Sequence, residues 1–569
     1  SPTAAIVSAL LESVELWSAE ELVQPETKQP LADLSEAEIR AWSGHRDGAA
    51  LDLDPALPRS WLPGTVLVSG HACRVPWDLL SLDYTIDPLE YPATSVGLAC
   101  GNSRTEALVS GLAEGLEHHA IAQFERRSPR ERLAAQISLE TVLEPGLRRL
   151  LRRVESHGFQ VKAWSMAQES GYAAILCVLF RSDLSLDGMA PAAGTGCHPS
   201  AAVALQRALL EAVQTHAGLV AGARDDVTPD AYEQGGSREA AIVFGSLAFG
   251  DGSLAWSKVP SALCETSQQC LASLLGNADD GPVIAYDHDA PHPGLHLVHV
   301  LAPRLLQKGR QRVAKAGNPV TCVNTGKRPP TGKVLFGGPS LVGLALPAGI
   351  EVRPPARCGD FAALLADPPL AVGLVDGYFK LAPTVWHKEI MALLACGTRV
   401  IGGASLGALR AAELNQFGME GVGAIYGAYR AGCLVRDDAV MLIHAPMELG
   451  YAPLTVPLAD AEHTLMQASL PASARRMMQR IVRTTPFETR TWEGCLREFA
   501  ARTGREFPRA LEALQASPSL KQMDAAQVIK ALVEASPDMG RAAYPVPPIT
   551  SHFRALLARS VLASAPVPS

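Results

Sequence analysis

Glu114 and Glu117 stand three residues apart within GLACGNSRTEALVSGLAEGLEHHA, Gly97 to Ala120, where a polar turn, Gly101-Asn102-Ser103, leads into a helical pattern. Three residues apart on a helix is one face, so both carboxylates point the same way. Leu108, Leu112 and Leu116 mark another face that is to be buried. The arrangement recurs as Glu12 and Glu15 in SALLESVE, and as Glu211 with Gln214 in RALLEAVQ. The copies are roughly 100 residues apart, too far for the short repeats of a solenoid, and predict three helices converging on one site. Gathered carboxylates repel one another and resist leaving water, so such a set needs a cation. Oxygen donors without supporting His or Cys suit Mg²⁺, which commonly bridges phosphates. The competing reading is that each pair is the solvated edge of an amphipathic helix. Spacing leaves both open, with a magnesium-nucleotide site as the chemical one.

A second set surrounds Gly403-Ala404-Ser405-Leu406-Gly407, which joins a short apolar run, Arg399 to Ile401, to a helix predicted over Ala408 to Gln416. Strand, G-x-S-x-G, helix is the context of a nucleophile elbow. The glycines allow the sharp turn, and Ser405 is expected to be exposed at a helix N-terminus, where N–H groups can hold an oxyanion. Alternatively Ser405 only caps the helix. Polar residues cluster nearby: Asp376 ends a strand, His387 and Lys388 open a helix, Arg410 and Glu413 follow the serine, and Asp437-Asp438 precede an expected strand ending in His444. His387, Lys388 and His444 are each candidate bases for Ser405, and spacing does not choose among them.

The elements that must position these groups follow from periodicity. The chain has 569 residues, enough for three or four domains. Helices are expected over Ser1 to Glu20, Ser35 to Trp42 and the arginine-rich Arg126 to Ser156, and strands over Val161 to Trp164, Ala173 to Phe180 and His296 to Leu301. Residues 222–240 read as a loop, and the basic, aperiodic residues 306–332 as a linker. Beyond it Val334 to Gly337, Val372 to Val375 and Arg399 to Ile401 alternate with helices at Phe361 to Ala366 and Val385 to Leu394, which predicts a parallel sheet with a site at its carboxyl ends. The fold class is α/β: an α+β domain at 1–305, an α/β parallel-sheet domain at 333–450 and a helical extension at 451–569 without assigned chemistry.

A net charge of −8 without a long basic stretch argues against nucleic acid, and the apolar runs are too short to span a membrane. Eleven cysteines without a CxxC pair predict reduced, mostly buried thiols and a cytoplasmic setting.

Two resemblances sharpen this reading. ALLESVELWSAE, VPWDLLSLDY (Val75 to Tyr84), GLACGNSRTEALVSGLAEGLEHHA and GTGCHPSAAVALQRALLEAVQTHA resemble the YcaO superfamily over residues 1–305. The resemblance implies ATP and Mg²⁺ as cofactors and activation of a peptide amide by phosphorylation of its oxygen. It makes Glu12, Glu15, Glu114 and Glu117 the metal ligands, and Asn102, Ser103, Glu114, Glu117, Glu211 and Gln214 the ATP-binding residues. The sequence departs from that family at His118 and His216, where arginines are usual, at Thr215, where serine is usual, and in the region ahead of the first acidic helix, which leaves a fragment or an incomplete site as expectations. VDGYFKLAPTVWHKEIMALLACGTRVIGGASLGALRAAELNQFGMEGVGAIYGAYRAGCLVRDDAV resembles the TfuA family, with Leu406 where Met is usual. That family implies delivery of sulfide, by hydrolysis of a thiocarboxylated carrier protein, to YcaO partners that make thioamides.

The expected function is ATP-dependent thioamide formation on a ribosomally made peptide or protein, Ser405, His387, Lys388, Asp376, Arg410 and Glu413 serving sulfur release. The alternatives are an azoline-forming cyclodehydratase and a non-catalytic peptide-binding scaffold. Expected partners are the precursor peptide, a sulfur-carrier protein or sulfide donor, and a separate leader-peptide-binding protein; a homodimer stays open.

Overall fold

A computed structural model describes residues 2–42, 54–83, 94–167, 171–181, 191–222, 224, 252–277, 282–302, 332–380, 382–506, 510–536 and 544–564. Tyr84, most of the expected loop at 222–240 and nearly all of the linker at 306–332 lie outside them. The chain forms two compact units, residues 1–217 with 233–315, and residues 218–232 with 316–569.

In the first unit α1 (Pro2–Glu20) is followed by β1 (Arg59–Val66), β2 (Ala72–Pro76), β3 (Leu98–Gly101), α2 (Arg104–Arg126), α3 (Pro145–Glu155), β4 (Phe159–Ser165), β5 (Ala173–Arg181), β6 (Ala192–His198), α4 (Ala201–Ala221), α5 (Ser267–Leu275), β7 (Ile284–His288) and β8 (His296–Leu301). An antiparallel sheet runs from the short strand Lys28–Gln29 through β1, β7 and β8 to β3, with β2 also on β1. A second antiparallel sheet is β4-β5-β6. The unbroken apolar run of β5 is explained by burial of both faces. Ala174, Leu176, Val178 and Phe180 join a core with Leu108, Leu112 and Leu116 of α2 and Val298 and Val300 of β8. Ala173, Ile175, Cys177 and Leu179 join another with Leu205, Ala208, Leu209 and Ala212 of α4. The expected helix over Arg126 to Ser156 is broken: α2 ends at Arg126, Ser128 opens a short helix with a capping box, Ile137–Ser138 is extended, and Pro145 starts α3. Pro129 and Pro145 each sit at a helix start, where their missing N–H costs nothing, and cannot continue a helix through.

The second unit contains β9 (Lys333–Phe336), β10 (Glu351–Arg353), β11 (Ala371–Leu374), α6 (His387–Ala395), β12 (Arg399–Gly402), α7 (Leu406–Leu414), β13 (Glu420–Gly421), α8 (Ala424–Arg430), α9 (Leu458–Gln467), α10 (Ala472–Thr484), α11 (Trp492–Thr503), α12 (Leu520–Glu534) and α13 (Ser551–Ser564). Its sheet is wholly parallel, in the order β10-β9-β11-β12-β13. The helices beyond residue 450 belong to this unit's core. α12 lays Ala525, Val528, Ile529 and Leu532 against Leu335, Ala371, Ile401 and Ala404. α13 packs Phe553, Leu556 and Leu557 against Trp386. The expected strand before His444 is instead a 3₁₀ turn, Asp437–Ala439, and His444 makes only an isolated bridge with Pro453.

Candidate functional site

In the first unit, close backbone approach brings the carboxylates together. A Cβ on Gly194 would lie 2.1 Å from the Ala212 nitrogen, and one on Gly196 would lie 2.2 Å from the Ala204 carbonyl, so only glycines let α4 lie this near β6. Glu211 on α4 then accepts the Thr195 N–H at 3.0 Å, and the Thr195 hydroxyl donates to Glu117 at 2.7 Å. Gly97, at φ +90°, gives its N–H to Glu114 at 3.1 Å. Cys100 gives its N–H to Glu15 at 2.5 Å.

The carboxylates feel one another in series, Glu12 on Glu15, Glu15 and Glu117 on Glu114, and Glu211 on Glu117. Burial is the larger cause and like charge adds to it, pushing Glu114 up to about 8 and Glu117 up to about 7. Arg207 on α4 pulls both back down. It is exposed, and its charge acts on Glu117, as does that of Glu211 one helical turn away. Sequence reading passed over Arg207 and Thr195. Arg207 lies i, i+4 from Glu211, a spacing that puts the two on one face. Glu12, Glu211 and Gln214 are exposed, Glu15 and Glu114 half-buried, and Glu117 buried. Asn102 and Ser103 are engaged at the start of α2: Ser103 caps it, accepting the Glu106 N–H, and Asn102 donates to the Glu106 carboxylate. His216 packs its ring against Phe159. Among the described residues no group of three or more His, Cys, Asp or Glu side chains is placed to hold a metal ion. The set is an open array of oxygen donors short of positive charge. That suits Mg²⁺, which keeps waters and shares phosphate oxygens rather than filling an all-protein cage.

In the second unit, Gly338 and Ser340 beyond β9, Asp376 beyond β11 and Ser405 beyond β12 meet at the carboxyl ends of adjacent parallel strands. Asp376 accepts the N–H groups of Gly338 and Ser340, both at 2.9 Å, and the Ser340 hydroxyl at 2.7 Å. A Cβ on Gly407 would lie 1.7 Å from the Leu374 carbonyl, which explains the second motif glycine. Ala404 has φ +66°, and the Ser405 N–H turns back to the Gly403 carbonyl at 2.9 Å.

Three expectations for this serine change. Ser405 is buried at 4% exposure, because α7 and α12 close over the turn. Its N–H and those of Gly407 and Ala408 already serve the carbonyls of Gly403, Val375 and Ser405, so these three do not form an oxyanion hole. The candidate bases are hydrogen-bonded elsewhere: His387 to Glu413 at 2.9 Å, Lys388 to Thr550 at 3.4 Å and His444 to the Ala445 carbonyl at 2.8 Å. Arg410 is buried and donates to Glu413, Thr384 and the Val385 carbonyl. Burial pushes Glu413 up, but the His387 hydrogen bond and the Arg410 guanidinium together hold it below its ordinary value. His387, Arg410 and Glu413 thus form their own network.

The Ser405 hydroxyl donates to the Val440 carbonyl at 3.3 Å. Lys521, at the start of α12 and 2% exposed, donates to the same carbonyl at 2.9 Å and stands 3.7 Å from Asp376. It lies in the region read as lacking chemistry. The signal was available, since Lys521 shares a helical stripe with Ala525, Val528 and Leu532, a charge where a core side chain belongs.

Comparison with known proteins relates both stretches of the chain to family models. The family model described as YcaO cyclodehydratase, ATP- and Mg²⁺-binding, matches residues 1–306, more than half of the 569. The chain belongs to the YcaO family. A TfuA-like model matches residues 376–491, from Asp376 through Ser405 and beyond the α/β core. ATP and Mg²⁺ are the ligands that the YcaO description names.

A Rhizobium leguminosarum bv. trifolii protein called "Uncharacterized protein in tfuA 3'region" is 31% identical over 246 residues, 41% of this chain and 56% of that protein. An uncharacterized Methanothermobacter thermautotrophicus protein is 28% identical over 241 residues, 39% and 57% of the two chains. The chain spans about half the length of the curated relatives it matches. Among solved structures, YcaO from Methanopyrus kandleri bound with AMPPCP and Mg²⁺ is 20% identical, with a TM-score of 0.39 over 52% of this chain and 75% of that one. A heterocyclase in complex with substrate and cofactor is 19% identical, with a TM-score of 0.43 over 52% and 43%. No described helix is long and apolar enough to cross a membrane.

Proposed function

We propose that this chain is a two-part peptide-modifying enzyme that replaces a backbone amide oxygen by sulfur, the first part activating the amide at the expense of ATP and the second releasing sulfide. The observation that carries it is the occurrence of a YcaO match and a TfuA-like match in one polypeptide. ATP supplies the phosphoryl group that turns the amide oxygen into a leaving group. Glu12, Glu15, Glu114 and Glu117 would hold Mg²⁺, and Glu211, Gln214, Asn102 and Ser103 would lie around the nucleotide. Arg207, facing the buried glutamates, is placed to meet phosphate oxygens by charge-assisted hydrogen bonds. Thr195 keeps Glu117 and Glu211 in register. The second part acts on a thiocarboxylated carrier protein, and a precursor peptide is the acceptor. Tethering two reactive sites raises the effective concentration of a labile intermediate without new contacts.

The family description favours one other reading, cyclodehydration of a Cys, Ser or Thr residue to an azoline. Mass spectrometry of a precursor peptide incubated with the protein, Mg-ATP and sulfide separates the two. The expected product carries sulfur for oxygen. Loss of water instead establishes the cyclodehydratase, and an unchanged peptide with unconsumed ATP overturns both.

A further inference from the structure

Lys521 has no place in the chemistry so far, yet it is a buried cation that shares a hydrogen-bond acceptor with Ser405. A core position on a helix that faces a sheet ordinarily gains free energy from an apolar side chain, and burying an ammonium there is costly unless it is paired. Here it is paired with Asp376 at 3.7 Å and hydrogen-bonded to the Val440 carbonyl, the same oxygen that receives the Ser405 hydroxyl. Asp376 is fixed in turn by Gly338 and Ser340. A cavity of about 390 Å³ reaches this cluster, with Ser340, Lys521, Asp460, Thr455 and Thr464 among its lining residues. Asp460 anchors the start of α12 by accepting the Lys521 N–H at 3.0 Å and the Ser519 hydroxyl at 2.7 Å.

We infer that Ser405 and Lys521, joined through the Val440 carbonyl, form a serine–lysine catalytic pair that the cavity reaches on its lysine side, with Asp376 as a positioning residue that holds the lysine. The inference rests on the sulfide-release reading of the second unit. For a thiocarboxylate, the Ser405 Oγ forms a bond to the acyl carbon and the carbon–sulfur bond breaks, its electron pair leaving with sulfur. Lys521 gives a proton to the departing sulfur and takes the Ser405 hydroxyl proton, so it ends as it began and hydrosulfide is released. Water then cleaves the serine ester to a carboxylate, a proton and free Ser405. No oxidant or reductant is required.

The test uses the full chain and two probes. A fluorophosphonate reports on Ser405 as a nucleophile irrespective of the natural substrate, with the labelled residue located by peptide mass spectrometry. A synthetic peptide ending in a thiocarboxylate reports on sulfide release. Lys521→Met is expected to slow labelling of Ser405 by about a hundredfold or more, the scale of a lost proton-transfer group. That variant leaves Asp376 buried without a cation and risks failing to fold, so Lys521→Met/Asp376→Asn, which removes both charges, is made beside it and is expected to fold and to label as slowly. Labelling of the folded double variant at the wild-type rate overturns the pair, as does a wild-type protein in which Ser405 is never labelled. Sulfide release that falls by the same factor supports the whole inference. Lysine-dependent labelling without sulfide release keeps the pair and overturns the thiocarboxylate assignment.

Discussion

A carboxylate in partial burial beside another carboxylate resists ionisation, and the extent of resistance measures how much a cation would gain there. Glu114 sits at the centre of the series, with Glu15 and Glu117 both opposing its charge. Glu114→Gln keeps the shape and the contact with the Gly97 N–H while removing one negative charge from the array. Magnesium-dependent ATP affinity, measured by calorimetry, is therefore expected to fall at least about tenfold, the scale reported for losses in a metal's surroundings. Unchanged affinity would instead favour the non-catalytic scaffold. Arg207→Ala is expected to weaken ATP and leave Mg²⁺ binding intact, because arginine meets phosphate and repels the metal. The paired glutamates could be read from spacing, and so could the shared face of Arg207 and Glu211; the role of Thr195 could not, because it arises only when α4 and β6 are laid side by side.

At the scale of elements, glycines decide how closely helices approach strands. Gly407→Ala would drive a methyl group into the Leu374 carbonyl, backbone that has nowhere to go, and is expected to destabilise the second unit by roughly 3 kcal/mol or more. Gly427→Ala is the control. A methyl group there meets nothing within 4 Å, and the position lies inside α8, so a gain of up to about 1 kcal/mol is expected in the same chemical denaturation experiment. This turn was legible in advance because strand, G-x-S-x-G and helix follow one another in the sequence. The serine's neighbours were not. His387, Lys388 and His444 were candidates because they are polar and nearby in the chain, but α6 aims His387 at Glu413, and the strand expected to carry His444 is absent. Lys521 arrives from more than a hundred residues away on α12, whose periodicity gives a helix and a buried stripe but not the sheet end on which that stripe lands. Periodicity likewise recovered β5, β8 and three of the five parallel strands of the second unit, missed the short β10 and β13, and overran the two prolines that divide residues 126–156.

Across the whole molecule, the two units carry separate cores, and the first is bounded by titrations of opposite sign. Burial without hydrogen-bond partners for either ring nitrogen pulls His288 down to about 4, against the charges of Asp287 and Asp289. Burial and His288 pull His299 down to about 3. A base depressed in the folded state binds fewer protons than it does unfolded, so its unit is stable above the unfolded value near 6.5 and loses stability as pH falls toward 4. For His288 alone the loss reaches about 3 kcal/mol. Glu114 and Glu117 act in reverse. Their folded values are raised above 4.5, so their contribution is complete below pH 4.5 and is lost as pH rises through 7 and 8. Without a cation the first unit is therefore expected to be most stable between about pH 5 and 6.5, as judged by hydrogen exchange of its own peptides in the full chain. Mg²⁺ favours the ionised glutamates and is expected to protect the unit little at pH 5 and strongly at pH 8, moving the optimum to higher pH. His288→Phe should shrink the acid limb, leaving the share of His299, and spare the alkaline limb, since it keeps the ring contacts with Tyr286 and His299 and abandons no hydrogen bond. Equal protection by Mg²⁺ at both pH values would remove the buried glutamates as its ligands, and an acid limb undiminished in His288→Phe would assign that limb to other groups.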